Sequence, residues 1–95
     1  MAAYTTIIAE SYHFLGGGSP ESIRVRPLAG QEFSVDLNIE CSRAVRYKHP
    51  VGTLFKLSVK LTNRDGGEFL YSSYQWPMSV VSEAEAEEFI RRAHG

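Results

Sequence analysis

The clearest pattern in the chain is alternation. From position 33 to position 48 the odd positions Phe33, Val35, Leu37, Ile39, Cys41, Val45 and Tyr47 are apolar and only Arg43 breaks the series, while the even positions are polar except for Ala44. A period of two puts one set of side chains on one face of a strand, so this run predicts a half-buried strand. About fifteen extended residues would reach about 50 Å, more than the diameter of about 30 Å expected of a globule this size. The run therefore has to bend, and Ser42-Arg43-Ala44, where the parity fails, is the expected corner.

A second alternation, Phe55, Leu57, Val59 and Leu61 against Lys56, Ser58, Lys60 and Thr62, predicts a strand over 54–62, entered through a turn at His49-Pro50-Val51-Gly52. Asn63-Arg64-Asp65-Gly66-Gly67 offers the positive-φ residues of a hairpin loop, so 68–76 is expected to return antiparallel. Upstream, Ile23 and Val25 alternate with Arg24 and Arg26 before Pro27 removes a ladder donor, which reads as a short edge strand. Tyr4 to Leu15 admits two readings. Tyr4, Ile8, Tyr12 and Leu15 share a helical face, but the β-branched run Thr5-Thr6-Ile7-Ile8 favours a strand. Gly16 to Pro20 reads as a connector.

The period changes near the C-terminus. After a short apolar piece, Met78 to Val81, Ser82-Glu83-Ala84-Glu85 forms a capping box. Ala86, Phe89, Ile90 and Ala93 then follow at helical spacing, with glutamates in the first turns and Arg91, Arg92 and His94 in the last. A helix over 83–93 is expected. Strands followed by one helix, without βαβ alternation, define a mainly β fold (β with one C-terminal α-helix). The expected form is a small antiparallel barrel or half-barrel of five to six strands capped by the helix. Its core is expected to hold Phe33, Val35, Leu37, Ile39, Phe55, Leu57, Val59, Leu61, Phe89 and Ile90. The 95 residues leave room for one domain over 1–95: an N-terminal element over 1–15, the connector over 16–20, a β core over 21–81 and the helix over 82–94.

Composition narrows the class. With 43% hydrophobic and 22% charged residues the chain has enough apolar surface to fold, which excludes a disordered or collagen-like class. No apolar run reaches the length of about 20 residues that a membrane helix needs, and no basic-then-apolar leader opens the chain, so neither a membrane partner nor export is expected. Cys41 is the sole cysteine and sits within the apolar alternation. It is read as a small buried hydrophobe in a cytoplasmic protein.

The net charge of −1 conceals an asymmetry. Residues 43–64 carry Arg43, Arg46, Lys48, Lys56, Lys60 and Arg64 with no acid, a balance of +6. From Asp65 onward six acids (Asp65, Glu68, Glu83, Glu85, Glu87, Glu88) face Arg91 and Arg92, a balance of −4. Segregated charge makes a local field even when totals cancel.

Catalytic and metal chemistry find little support. His13, His49 and His94 lie at ligand spacing neither from one another nor from Cys41, and Gly16 to Gly18 lacks the Lys-Ser or Lys-Thr of a phosphate loop. Asp36 and Glu40 stand too far apart on a strand for a carboxylate pair, and Lys56 and Lys60 could neutralise them across the sheet. No cofactor, no metal and no enzyme activity are expected. Basic residues interleaved with aromatics are the more informative set, because small β surfaces hold unpaired bases by stacking and phosphates by charge. The expected function is a non-enzymatic module binding single-stranded nucleic acid through Arg43, Arg46, Tyr47, Lys48, Lys56, Lys60, Tyr71, Tyr74 and Trp76. Two alternatives stand beside it: a protein-interaction module, acting as a homodimer or an accessory protein, and small-molecule binding in the barrel. Within 69–76 at least one parity group of aromatics must be core.

Overall fold

The computed structural model describes residues 4–15, 22–64, 66–73 and 75–94. Six strands and two helices follow in chain order: β1 (Thr5–Phe14), β2 (Ser22–Pro27), β3 (Ile39–Glu40), α1 (Arg43–Lys48), β4 (Leu54–Arg64), β5 (Gly67–Tyr71), β6 (Met78–Val81) and α2 (Glu83–His94). The strands form one sheet in the order β2-β1-β4-β5-β3, with β6 also paired to β4. The connector over 16–20 and Tyr74 lie outside the described residues.

β4 organises the sheet because its length gives it three partners. Its first half runs antiparallel to β1, with Ile7 opposite Leu57 and Ala9 opposite Phe55, and antiparallel to β6, with Phe55 opposite Val80. Its second half pairs with β5, Leu61 opposite Leu70. β1 is a strand, as its β-branched run favours, and pairs along its C-terminal half with β2, Ser11 opposite Val25. The alternation then assigns the two faces. Odd positions of β1 and β4 join Val25, Ile39 and Leu70 in the core, where Val25, Ile39, Phe55, Val59 and Leu70 are fully buried. Even positions carry Ile8 and Lys56 on the other face, and there α2 packs across β1 and β4 with Ala86 buried and the Lys56 ammonium 4.9 Å from the Phe89 ring centre.

The strand expected over 33–41 is not formed. Gly30 turns the chain at φ +94°, the Asp36 amide donates to Ser34 Oγ (3.0 Å) and the Leu37 amide to the Ser34 carbonyl (3.2 Å), so Ser34 closes a local turn where a ladder was expected. Only Ile39–Glu40 pairs, and it does so parallel to β5, so the sheet is not purely antiparallel. Downstream, Ser42 marks the start of α1 instead of a strand corner: its hydroxyl accepts from the Val45 amide (3.3 Å) and its carbonyl from the Arg46 amide (3.2 Å). β5 ends at Tyr71, short of the strand expected to Trp76, and β6 begins at Met78. The core expectation also needs correcting. Phe33 and Leu37 pack against the core from its margin, Val35 and Leu61 are exposed, and Phe89 and Ile90 are half-buried on α2.

The sheet curls until its two end strands, β2 and β3, come into contact, yet among the described residues no ladder joins them. It is therefore an open sheet, not a closed barrel, and α2 covers one face instead of plugging an opening. The capping box forms as its spacing demands: the Ser82 amide donates to Glu85 Oε1 (2.8 Å) and the Glu85 amide to Ser82 Oγ (3.1 Å). These bonds hold the Glu85 carboxyl below its usual range, and Arg92 with Arg91 does the same for Glu88. Both contributions are present above the ordinary carboxylate range and fade as pH falls through the depressed values. Ser82→Ala is expected to cost about 1 kcal/mol in denaturant unfolding, the usual size of a lost helix cap. An unchanged midpoint would mean that α2 does not depend on its cap.

Candidate functional site

Where β2 and β3 approach without pairing, α1 bridges the seam. Ile23 on the outer edge of β2 donates its amide to Tyr47 Oη (3.1 Å), and its carbonyl accepts from Arg46 Nη1 (3.2 Å). An open strand edge with unmet backbone groups invites foreign strands, and here two side chains of a six-residue helix occupy it. α1 is seated by Val45, which packs on the core beneath. That arrangement directs Arg43, Arg46 and Tyr47 toward the seam.

The seam holds an open cleft of about 380 Å³ lined on one wall by Ile23 and Arg24 of β2, on the other by Asn38, Glu40 and Cys41, and over the top by Arg43, Arg46 and Tyr47. Three guanidiniums against a single carboxylate make it cationic. The guanidiniums of Arg43 and Arg46 lie 4.6 and 5.8 Å from the Tyr47 ring centre. Arg24 is held on the Phe14 ring at 3.7 Å, and next along the hairpin Arg26 sits 4.3 Å over Tyr12 while its Nε donates to Glu10 Oε1 at 3.0 Å. Guanidiniums stacked on rings keep their in-plane N–H groups available for phosphate or carboxylate. Arg24 is thus shared between the cleft and an arginine–aromatic ladder on the β1–β2 hairpin.

Cys41, on the wall of the cleft, is a poor nucleophile. Burial pushes its thiol up to about 11, and Arg46 only partly opposes that rise. Asn38 Oδ1 and Arg46 Nε are buried without a hydrogen-bond partner among the described residues. No group of three or more metal-ligating side chains gathers among the described residues.

The residues singled out from sequence separate into three places. Arg43, Arg46, Tyr47 and Lys48 share α1, with the first three around the cleft. Lys56 stands exposed beside α2, its ammonium against the Phe89 ring. Lys60 stands opposite Tyr71, whose ring meets Trp76 edge-on at 5.9 Å, and Trp76 in turn meets Tyr4 at 4.3 Å. Lys56 and Lys60 share the even-position face of the sheet with Arg24 and Arg26, but Lys56 is drawn to α2 and Tyr71 stands between Lys60 and Glu40 of the cleft wall, so the basic residues do not form one continuous surface. The question of core against surface in β5 is answered on both faces: Leu70 and Phe69 are buried, and Tyr71 is exposed. Arg24, Arg26, Tyr12 and Phe14 were not among the expected site residues. Their signal was the Arg-x-Arg spacing of β2 beside Tyr12-x-Phe14 of β1, visible only once the two strands are paired.

Comparison with protein-family models, with curated proteins and with solved structures returned no match to this chain. Among the described residues no helix is long and apolar enough to cross a membrane.

Proposed function

We propose that this protein is a small, non-catalytic cytoplasmic module that holds single-stranded nucleic acid at the β2–β3 seam. Guanidiniums take the phosphates, and the ring and guanidinium planes of the adjoining hairpin support unpaired bases. The observation that carries this reading is the succession of arginine–aromatic contacts, Arg26 on Tyr12, Arg24 on Phe14, and Arg43 and Arg46 on Tyr47, with three of these arginines around one cleft. Four of the chain's eleven acids lie on α2, which packs across β1 and β4 on the sheet face opposite the core.

Fluorescence anisotropy with a labelled single-stranded oligonucleotide tests it. At about 50 mM salt the dissociation constant is expected below about 100 μM, and affinity should fall steeply toward about 200 mM as released counterions lose their advantage. The double variant Arg24→Glu, Arg43→Glu should lose this binding, whereas Lys60→Glu, which is not among the residues lining the cleft, should retain most of it. Binding weaker than about 100 μM at low salt, or indifferent to the double variant, would overturn the reading. A protein-interaction role would then be favoured by a different feature, the edge-packed Tyr4, Trp76 and Tyr71, of which Tyr4 and Tyr71 remain 53% and 39% exposed.

A further inference from the structure

Resting on the nucleic-acid reading, we infer that the seam cleft is specific for a phosphate monoester, the terminal phosphate of a strand or of a nucleotide, and not for a phosphodiester within a chain. The argument begins with the distribution of charge. Arg24, Arg43 and Arg46 come from β2 and α1, yet all three line one cleft of about 380 Å³. A groove that follows a strand spreads its cations along the path of the backbone. Here they converge, while Lys56 stands beside α2 and Lys60 beside Tyr71.

Charge count favours the same ligand. A phosphodiester carries one negative charge and two free oxygens, whereas a monoester carries between one and two charges near neutrality and three oxygens. Three guanidiniums facing one carboxylate, Glu40, match the monoester better. The volume lies at the low end for ligand sites, enough for one nucleotide-sized group and not for several. Arg46 adds a second, independent observation: its Nη1 is committed to the Ile23 carbonyl while its Nε is buried with no acceptor. A buried donor without a partner is costly, and a phosphate oxygen at this wall would supply one once the Arg46 side chain turns toward the cleft.

The test compares ligands that differ only at their ends. A short single-stranded oligonucleotide is titrated with free hydroxyl ends, with a 5′-phosphate and with a 3′-phosphate, alongside the matching mononucleotide and inorganic phosphate. One phosphorylated end is expected to bind about tenfold or more tighter than the hydroxyl form, as for an added charge-assisted contact. Arg43→Gln and, from a different element, Arg24→Gln should each remove most of that gain. Their thermal melts identify any variant that fails to fold, and Lys60→Gln should keep the gain. Equal affinity for phosphorylated and unphosphorylated ends overturns the monoester inference and leaves strand binding standing. A mononucleotide that binds as tightly as the phosphorylated strand supports the monoester and overturns the strand as its source. Absence of binding by every ligand overturns both.

Discussion

Phe55→Ala is expected to lower the unfolding free energy by about 3–5 kcal/mol, the range seen when a fully buried aromatic is truncated in a core that cannot collapse around the gap. Phe55 has no exposed surface. Its backbone is fixed from both sides, by Ala9 of β1 and Val80 of β6, and its ring meets His49 edge-on at 5.7 Å between centres. Ladders on both edges of β4 keep the neighbouring strands from closing over the cavity, which places the cost toward the upper end. Against a total stability of about 5–15 kcal/mol for a domain, the variant is left marginal. Leu61→Ala, on the same strand but 43% exposed, is the control and should cost far less. Denaturant unfolding of both variants reads the difference, and equal losses would contradict the assignment of the two positions. The seam is affected as well, because α1 rests on this core through Val45.

The elements legible from sequence are those whose pattern admits one period. β4 alternates from Phe55 to Thr62, and α2 has a capping box, a stripe at helical spacing and a charge gradient that agree. The stretch 33–47 misleads for a specific reason. The side chains that pack on the core margin there, Phe33, Leu37, Cys41 and Val45, are four residues apart, a spacing shared by alternate strand positions and by successive turns of a helix. Turn chemistry decided between them, with Ser34 closing one turn and Ser42 capping α1. β1 was ambiguous because it is covered on both faces. Ile7, Ile8 and Ala9 are all buried, so no alternation survives across them.

The candidate site was legible in part. The acid-free segment pointed to Arg43, Arg46 and Tyr47, but Lys56 is drawn to α2 and Lys60 is separated from Glu40 by Tyr71, so neither lines the cleft. Arg24 enters only because the curled sheet brings β2 against β3. That proximity depends on the whole sheet and leaves no mark in local spacing.

Gln31 marks the point where the loop leading to the site is fixed, and its replacement gives the second large effect. β2 stops pairing at Pro27, opposite Ala9, and β1 continues past it. There the Gln31 carboxamide takes the place of a strand. Its Oε1 accepts from the Ile8 amide at 2.8 Å, and its Nε2 donates to the carbonyls of Ile8 at 2.7 Å and Leu28 at 3.0 Å. Ile8 is fully buried, so its backbone groups have no ready exchange with water. The Ile8 carbonyl also accepts from the Leu28 amide at 3.0 Å, so Gln31→Ala is expected to cost about 1–3 kcal/mol chiefly for the Ile8 amide left unpaired, and to speed hydrogen exchange there. Gln31→Glu should cost more at neutral pH, because a carboxylate oxygen would replace the Nε2 donor against two carbonyl oxygens. That repulsion raises the carboxyl's pKa in the folded chain above its unfolded value. The deficit is therefore largest above the folded-state pKa and shrinks as pH falls, when the protonated acid can again donate one bond. A deficit independent of pH, or an Ile8 amide that exchanges as in the parent protein, would mean that Gln31 does not stand in for a strand. If it does, the same carboxamide sets the start of the turn at Gly30 to Leu37, and through it the position of Asn38 and β3 on the wall of the cleft.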